Sequence, residues 1–144
     1  MKSTLLTACA TLALALPAFA DGHATGDAEA GEKVFKKCKS CHMIASEDET
    51  IVKGGKAGPN LYGIHDRAAG AEDFKYSKLM AAAGEKGLLW NEADFATYVV
   101  DPTEFLKEYT GESGRGKMQA QRLKGDDAIN VWAYLVSVGP QPEG

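Results

Sequence analysis

An all-α domain is what this sequence predicts, and three observations carry that reading. Apolar residues recur at helical spacing near both ends of the chain, each segment has a cap and a stop, and no alternation of apolar and polar residues is sustained anywhere. Asp27 caps a first helix whose Ala30/Gly31, Val34, Phe35 and Cys38 share one face. Gly31, in the middle of that face, weakens the helix unless another element packs closely against it. The last helix is the expected partner. Asp126 or Asp127 caps it, Ala128, Val131, Leu135 and Val138 form its stripe with Ile129, Trp132 and Tyr134 beside, and Gly139-Pro140 ends it. Shorter helices are expected from Ser77 to Ala83 and from Asn91 to Val100, with a turn beginning at Pro102.

Before the first helix, Lys2, the apolar run Leu5 to Leu16 and Pro17-Ala18-Phe19-Ala20 have the layout of an export signal cleaved before Asp21. The run is too short for a spanning helix. The expected organisation is therefore a signal peptide over 1–20, a flexible terminus over 21–26, one domain over 27–139 and a tail over 140–144. The whole chain carries 16 Lys and Arg against 20 Asp and Glu, a formal charge of −4, and loss of Lys2 with the leader makes it one unit more negative. Nucleic acid is not expected as a partner.

The chemistry concentrates in Cys38-Lys39-Ser40-Cys41-His42. This C-x-x-C-H spacing fastens a c-type haem through two thioethers and offers the iron a histidine. A structural zinc site needs four ligands, and the one remaining cysteine, Cys9, falls in the leader. A thioredoxin-like pair belongs at the end of a strand, whereas Glu29 to Lys37 reads as helix. With both mature cysteines on the cofactor, haem takes the place of a disulfide staple.

A covalent haem also accounts for the stretch Met43 to Asp73, which is rich in glycine and charge and long for a loop in a compact domain. Within it, Lys53-Gly54-Gly55-Lys56-Ala57-Gly58 lacks the phosphate-loop spacing and reads as a solvated basic turn.

The iron's sixth position separates an electron carrier from a gas binder or enzyme. Met43 adjoins His42 and cannot reach the opposite face, and His23 and His65 read as exposed side chains. Met80 is most simply helix core, whereas Met118 stands alone in the polar Gly114-Arg115-Gly116-Lys117-Met118-Gln119. Spacing leaves the choice open.

The order Gly31, Phe35, Cys38-x-x-Cys41-His42, Gly58-Pro59-Asn60-Leu61, Arg67, Phe74-x-Tyr76, Trp90, Tyr98, Asp101-Pro102, Lys117-Met118 and Trp132-Ala133-Tyr134-Leu135 resembles the class I c-type cytochromes, among them the long bacterial cytochrome c2 group. The resemblance implies N- and C-terminal helices that cross, with short helices and loops round one haem c. It implies His42 and Met118 as axial ligands, a Pro59 carbonyl on the His42 imidazole, Arg67, Tyr76 and Trp90 at the haem propionates, and Tyr98 beside the methionine sulfur. It further implies a periplasmic monomer that is no enzyme and docks transiently, carrying electrons from the cytochrome bc1 complex to a terminal oxidase or a photosynthetic reaction centre. Lysines 36, 37, 39, 53, 56, 107 and 117, with Arg115, would form a basic front round the haem edge. The chain departs from the family where an aromatic commonly follows the ligand methionine by two or three places. Here Gln119-Ala120-Gln121 follows, which implies a looser, wetter methionine side.

Overall fold

A computed structural model describes residues 24–140. The expected leader, residues 21–23 and the tail beyond Pro140 lie outside the described residues. The fold is mainly helical, as expected, with α1 (Ala28–Phe35), α2 (Lys78–Glu85), α3 (Glu92–Val100), α4 (Pro102–Thr110) and α5 (Asp127–Val138). One small antiparallel ribbon, β1 (Ile44–Ala45) with β2 (Thr50–Val52), interrupts the long loop and departs from an all-helical reading. Its strands are too short, and too irregular in register, to leave a period-2 pattern in the sequence.

The Asp27 carboxylate accepts the N–H groups of Glu29 at 2.8 Å and Ala30 at 3.1 Å, so α1 begins with two of its orphan donors satisfied. The helix ends at Phe35, sooner than expected, and Cys38 and Cys41 stand on the turns that follow. There Cys38 N–H donates to Phe35 O at 2.8 Å, and Cys41 and His42 N–H both donate to Cys38 O, at 3.1 and 3.0 Å. The winding past Phe35 includes three-residue bonds, which bring both thiols and the imidazole to one side of the chain.

In α5, Asp126 occupies the cap position without a capping bond from its side chain, and the Asp127 carboxylate accepts Lys124 N–H at 3.2 Å instead. Extended backbone at Gly139, followed by Pro140, ends the helix.

The crossing of α1 and α5 is as close as Gly31 suggested. A methyl group on Gly31 would lie 1.8 Å from Asn130 O and 2.9 Å from Tyr134 Cβ. The Asn130 side chain accepts Asp27 N–H at 2.8 Å, and the rings of Phe35 and Tyr134 meet at 5.5 Å. Ahead of α1, the backbone N–H and hydroxyl of Thr25 both donate to the Glu92 carboxylate, at 2.7 and 2.6 Å. Thr25, within the terminus read from composition as loose, thus has in Glu92 at the start of α3 an acceptor for each of these donors.

α2 and α3 start where their caps were read, with Ser77 accepting Met80 N–H at 3.2 Å and Asn91 accepting Asp94 N–H at 3.0 Å. The segment at Pro102 is a full nine-residue helix rather than a turn. Asp101 caps it through Glu104 N–H at 3.1 Å, Pro102 fills the first turn, and Gly111 closes it in the left-handed conformation at φ 71°. Trp132 of α5 is fully buried at the centre, with Phe95 of α3 at 5.3 Å and His65 at 5.9 Å. Among the described residues, no helix is long and apolar enough to cross a membrane.

Candidate functional site

The turn after α1, the long loop, the start of α2, the second half of α3 and the segment leading into α5 surround one cleft of about 550 Å³. Its size falls in the range of small-molecule and cofactor sites. Cys38, Cys41, His42, Pro59 and Arg67 line it on the amino-terminal half of the chain, and Tyr76, Trp90, Tyr98 and Met118 line it on the other. All nine residues singled out from the sequence therefore face the same space.

His42 is buried, and its Nδ1 lies 2.7 Å from Pro59 O. A carbonyl only accepts, so the proton must reside on Nδ1, and Nε2 keeps a free lone pair. Burial lowers the pKa of the ring, partly opposed by the Pro59 carbonyl, and the Arg67 charge lowers it further. The imidazole is held neutral and in one tautomer, the form a metal ligand requires.

Gly58 makes room for this ring. A methyl group there would sit 2.3 Å from His42 Cε1 and 2.7 Å from both nitrogens. Gly54 and Gly55 are just as constrained, since added methyls would lie 1.8 Å from His42 O and 2.1 Å from Ser40 O. The stretch read as a solvated basic turn is thus seated on the cysteine–histidine turn. Three glycines in five residues were the available signal.

Cys38 is half-buried and Cys41 exposed, and neither is in a disulfide. Burial pushes the Cys38 thiol up to about 11, with the Lys37 charge opposing.

Arg67 is largely committed to the loop. Its guanidinium donates to Tyr62 O, Asn60 O and Glu72 Oε1, each at 3.0 Å. Burial lowers its pKa, and the Glu72 carboxylate opposes that shift, so the two form a nearly neutral clasp across residues 60–72. Trp90 fixes the far end of the same loop by exchanging backbone hydrogen bonds with it, its N–H to Arg67 O at 3.0 Å and its carbonyl from Asp66 N–H at 2.9 Å.

The ring of Trp90 meets Tyr98 edge-on at 4.9 Å, and Phe105 of α4 packs on both, at 6.3 and 5.8 Å. Tyr98 is buried, which raises its pKa above the ordinary tyrosine value of 10. The folded protein therefore keeps this proton at pH values where the unfolded chain gives it up. Stability from this group is complete below pH 10 and is lost as pH rises beyond it, by up to ~1.4 kcal/mol per pH unit. Urea midpoints measured above pH 10 should fall more steeply in the wild type than in Tyr98→Phe.

Met118 is half-buried and packs against the core. Met80, read as helix core, is buried and also lines the cleft, so both candidate thioethers reach it. Where the family aromatic is missing, Gln119 and Gln121 line the cleft while Ala120 is exposed. The Lys117 ammonium donates to Lys75 O and lies 5.6 Å from the centre of the Phe74 ring, drawing the methionine segment against residues 74–76.

Two thiols, a neutral imidazole with its lone pair free, a thioether and aromatic walls round one cavity suit a covalently held haem. Residues 28–139 match the cytochrome c family. The chain belongs to the cytochrome c family. This cytochrome is 50% identical over 133 residues to cytochrome c2 of Cereibacter sphaeroides, which covers 89% of this chain and 90% of that protein. It is 42% identical to cytochrome c-550 of Paracoccus denitrificans, over 100% of this chain and 93% of that one. The crystal structure of cytochrome c2 from Rhodobacter sphaeroides superposes with a TM-score of 0.77 at 49% identity, covering 81% of this chain and 99% of the other. Ferric cytochrome c-550 from Paracoccus versutus superposes at 0.73 with 45% identity, covering 80% and 99%. The cytochrome is an electron-transfer protein, and its family implies covalent haem c.

Proposed function

We propose that this cytochrome is a periplasmic one-electron carrier. In this reading Cys38 and Cys41 would hold one haem c by thioethers, and His42 and Met118 would ligate its iron. The supporting observation is the meeting of these four residues in one cleft. Haem c supplies a one-electron ferric/ferrous couple, and histidine with methionine favours its reduced form.

The chain's own residues prepare that chemistry. Pro59 O fixes the proton on His42 Nδ1, so Nε2 is presented without a competing tautomer. Tyr98 keeps its phenolic proton and can donate a hydrogen bond within the cleft. Phe35, Leu61, Phe95 and Val99 line the interior and exclude water, which limits rearrangement when charge changes. Were His42 and Met118 both to ligate the iron, no site on it would be left for substrate.

Lys37 and Lys117 stand at the edge of the cleft, and Lys36, Lys39, Lys53, Lys56 and Arg115 are also exposed, whereas Lys107 is paired with Glu104 at 2.7 Å. An acidic molecule with a basic rim round its reactive edge suits brief, electrostatically steered docking. The resemblance points to the cytochrome bc1 complex as donor and a terminal oxidase or photosynthetic reaction centre as acceptor. The periplasmic location rests on the signal-like first 20 residues and on the same resemblance.

The visible spectrum of the haem-loaded protein tests the ligand set. A low-spin spectrum with the weak far-red band of methionine on ferric iron is expected, unaffected by Met80→Leu, abolished by Met118→Ala, and accompanied by no uptake of carbon monoxide in the reduced wild type. Rapid carbon monoxide binding, or a band that survives Met118→Ala and disappears in Met80→Leu, would sink the reading.

A further inference from the structure

Met118 is carried by a segment with few holds of its own. Residues 111–115 are exposed, and among the described residues the backbone N–H groups from Ser113 to Ala120 find a protein acceptor only at Gly116. That acceptor is the hydroxyl of Thr103, 3.1 Å away in the first turn of α4. Gly116 also sits against this turn, because a methyl group there would lie 3.3 Å from Thr103 Oγ1 and 3.5 Å from Leu106 Cδ1. The next backbone hold is Gln121 N–H on Val99 O at 2.8 Å, in α3. Met118 lies between these two clamps, two residues from the first. The third hold, Lys117 on Lys75 O, is made by an exposed ammonium group.

We propose that Thr103 is a positioning residue for Met118, its hydroxyl fixing the loop so that the thioether stays in the cleft. The proposal rests on the reading of Met118 as an axial ligand. Asp101 caps α4 through a separate bond to Glu104, so removing the Thr103 hydroxyl leaves the helix start intact. What it releases is the amide of Gly116, which is then free to swing toward water with Met118 close behind.

The test is imidazole displacement of the methionine in the ferric, haem-loaded protein, followed by loss of the far-red band, in wild type, Thr103→Val and Thr103→Ser. Imidazole should bind about fivefold more tightly to Thr103→Val, the equivalent of one ordinary hydrogen bond, and with near wild-type affinity to Thr103→Ser. Urea midpoints taken alongside separate this from a general loss of stability, which would lower the midpoint without favouring imidazole. Wild-type imidazole affinity in Thr103→Val, or Thr103→Ser failing as valine does, overturns the proposal while the band's loss in Met118→Ala leaves the ligand assignment standing. A wild-type spectrum without the band removes both.

Discussion

Gly31→Ala should destabilise the haem-loaded protein by about 3 kcal/mol, although in an isolated helix the same change stabilises by about 1 kcal/mol. The two effects oppose each other, and geometry decides between them. Gly31 lies within α1 and outside the left-handed region, so its backbone would accept alanine without strain. The added methyl would instead stand 1.8 Å from Asn130 O, a backbone atom of α5 that cannot rotate away. The helices would have to part by more than an ångström, loosening the Phe35–Tyr134 contact and the bond from Asp27 N–H to the Asn130 side chain. A loss of that size is a large share of the 5–15 kcal/mol that holds a domain folded. The urea midpoint should fall steeply, whereas exposed Glu32→Ala on the same helix should leave it nearly unchanged. A midpoint that rises in Gly31→Ala would mean that helix propensity wins and the close crossing does not hold in solution.

Gly58→Ala should strike the site rather than the scaffold. Its methyl group would overlap the His42 ring at 2.3 Å, and an imidazole pushed aside can no longer meet Pro59 O at 2.7 Å. Loss of a hydrogen bond that orients a metal-ligating histidine typically weakens the metal site 10- to 100-fold. The equilibrium that keeps His42 on the iron should accordingly weaken by roughly tenfold or more, read as a reduced share of purified protein with a six-coordinate, low-spin spectrum. Lys56→Ala, an exposed change in the same loop, is the control and should load normally. A wild-type spectrum and potential in Gly58→Ala would show that the ring has room it lacks in this structure.

How much of this was legible in the sequence varied with how strongly each element is marked. The first and last helices announce themselves through caps, stripes and stops, and a lone glycine on an apolar face anticipated their crossing. α4 is different. Only Pro102, Leu106 and Thr110 are buried in it, so its apolar pattern is thin, and the proline was read as a turn although Asp101, Pro102 and Gly111 are a complete set of start and stop signals. The ribbon was invisible because so few residues pair. At the site, the cysteine–histidine spacing marked the proposed attachment point, and the family pattern supplied the other residues proposed for the site, all of which line the cleft. Composition gave no sign that Arg67 would be shared among Asn60, Tyr62 and Glu72, because those bonds run mostly to carbonyls whose positions only the folded loop defines.

The seating of Gly54, Gly55 and Gly58 on residues 40–42 bears on protein engineering. A segment of five residues looks portable, a tag that could be spliced into any helical scaffold to capture haem. Here its upper surface is shaped by a second strip of chain, residues 53–59, which meets it backbone to backbone and ends in the carbonyl that orients the histidine. The transferable unit is therefore the pair of strips together, and a graft that brings only the first would carry the cysteines without the means to aim the imidazole.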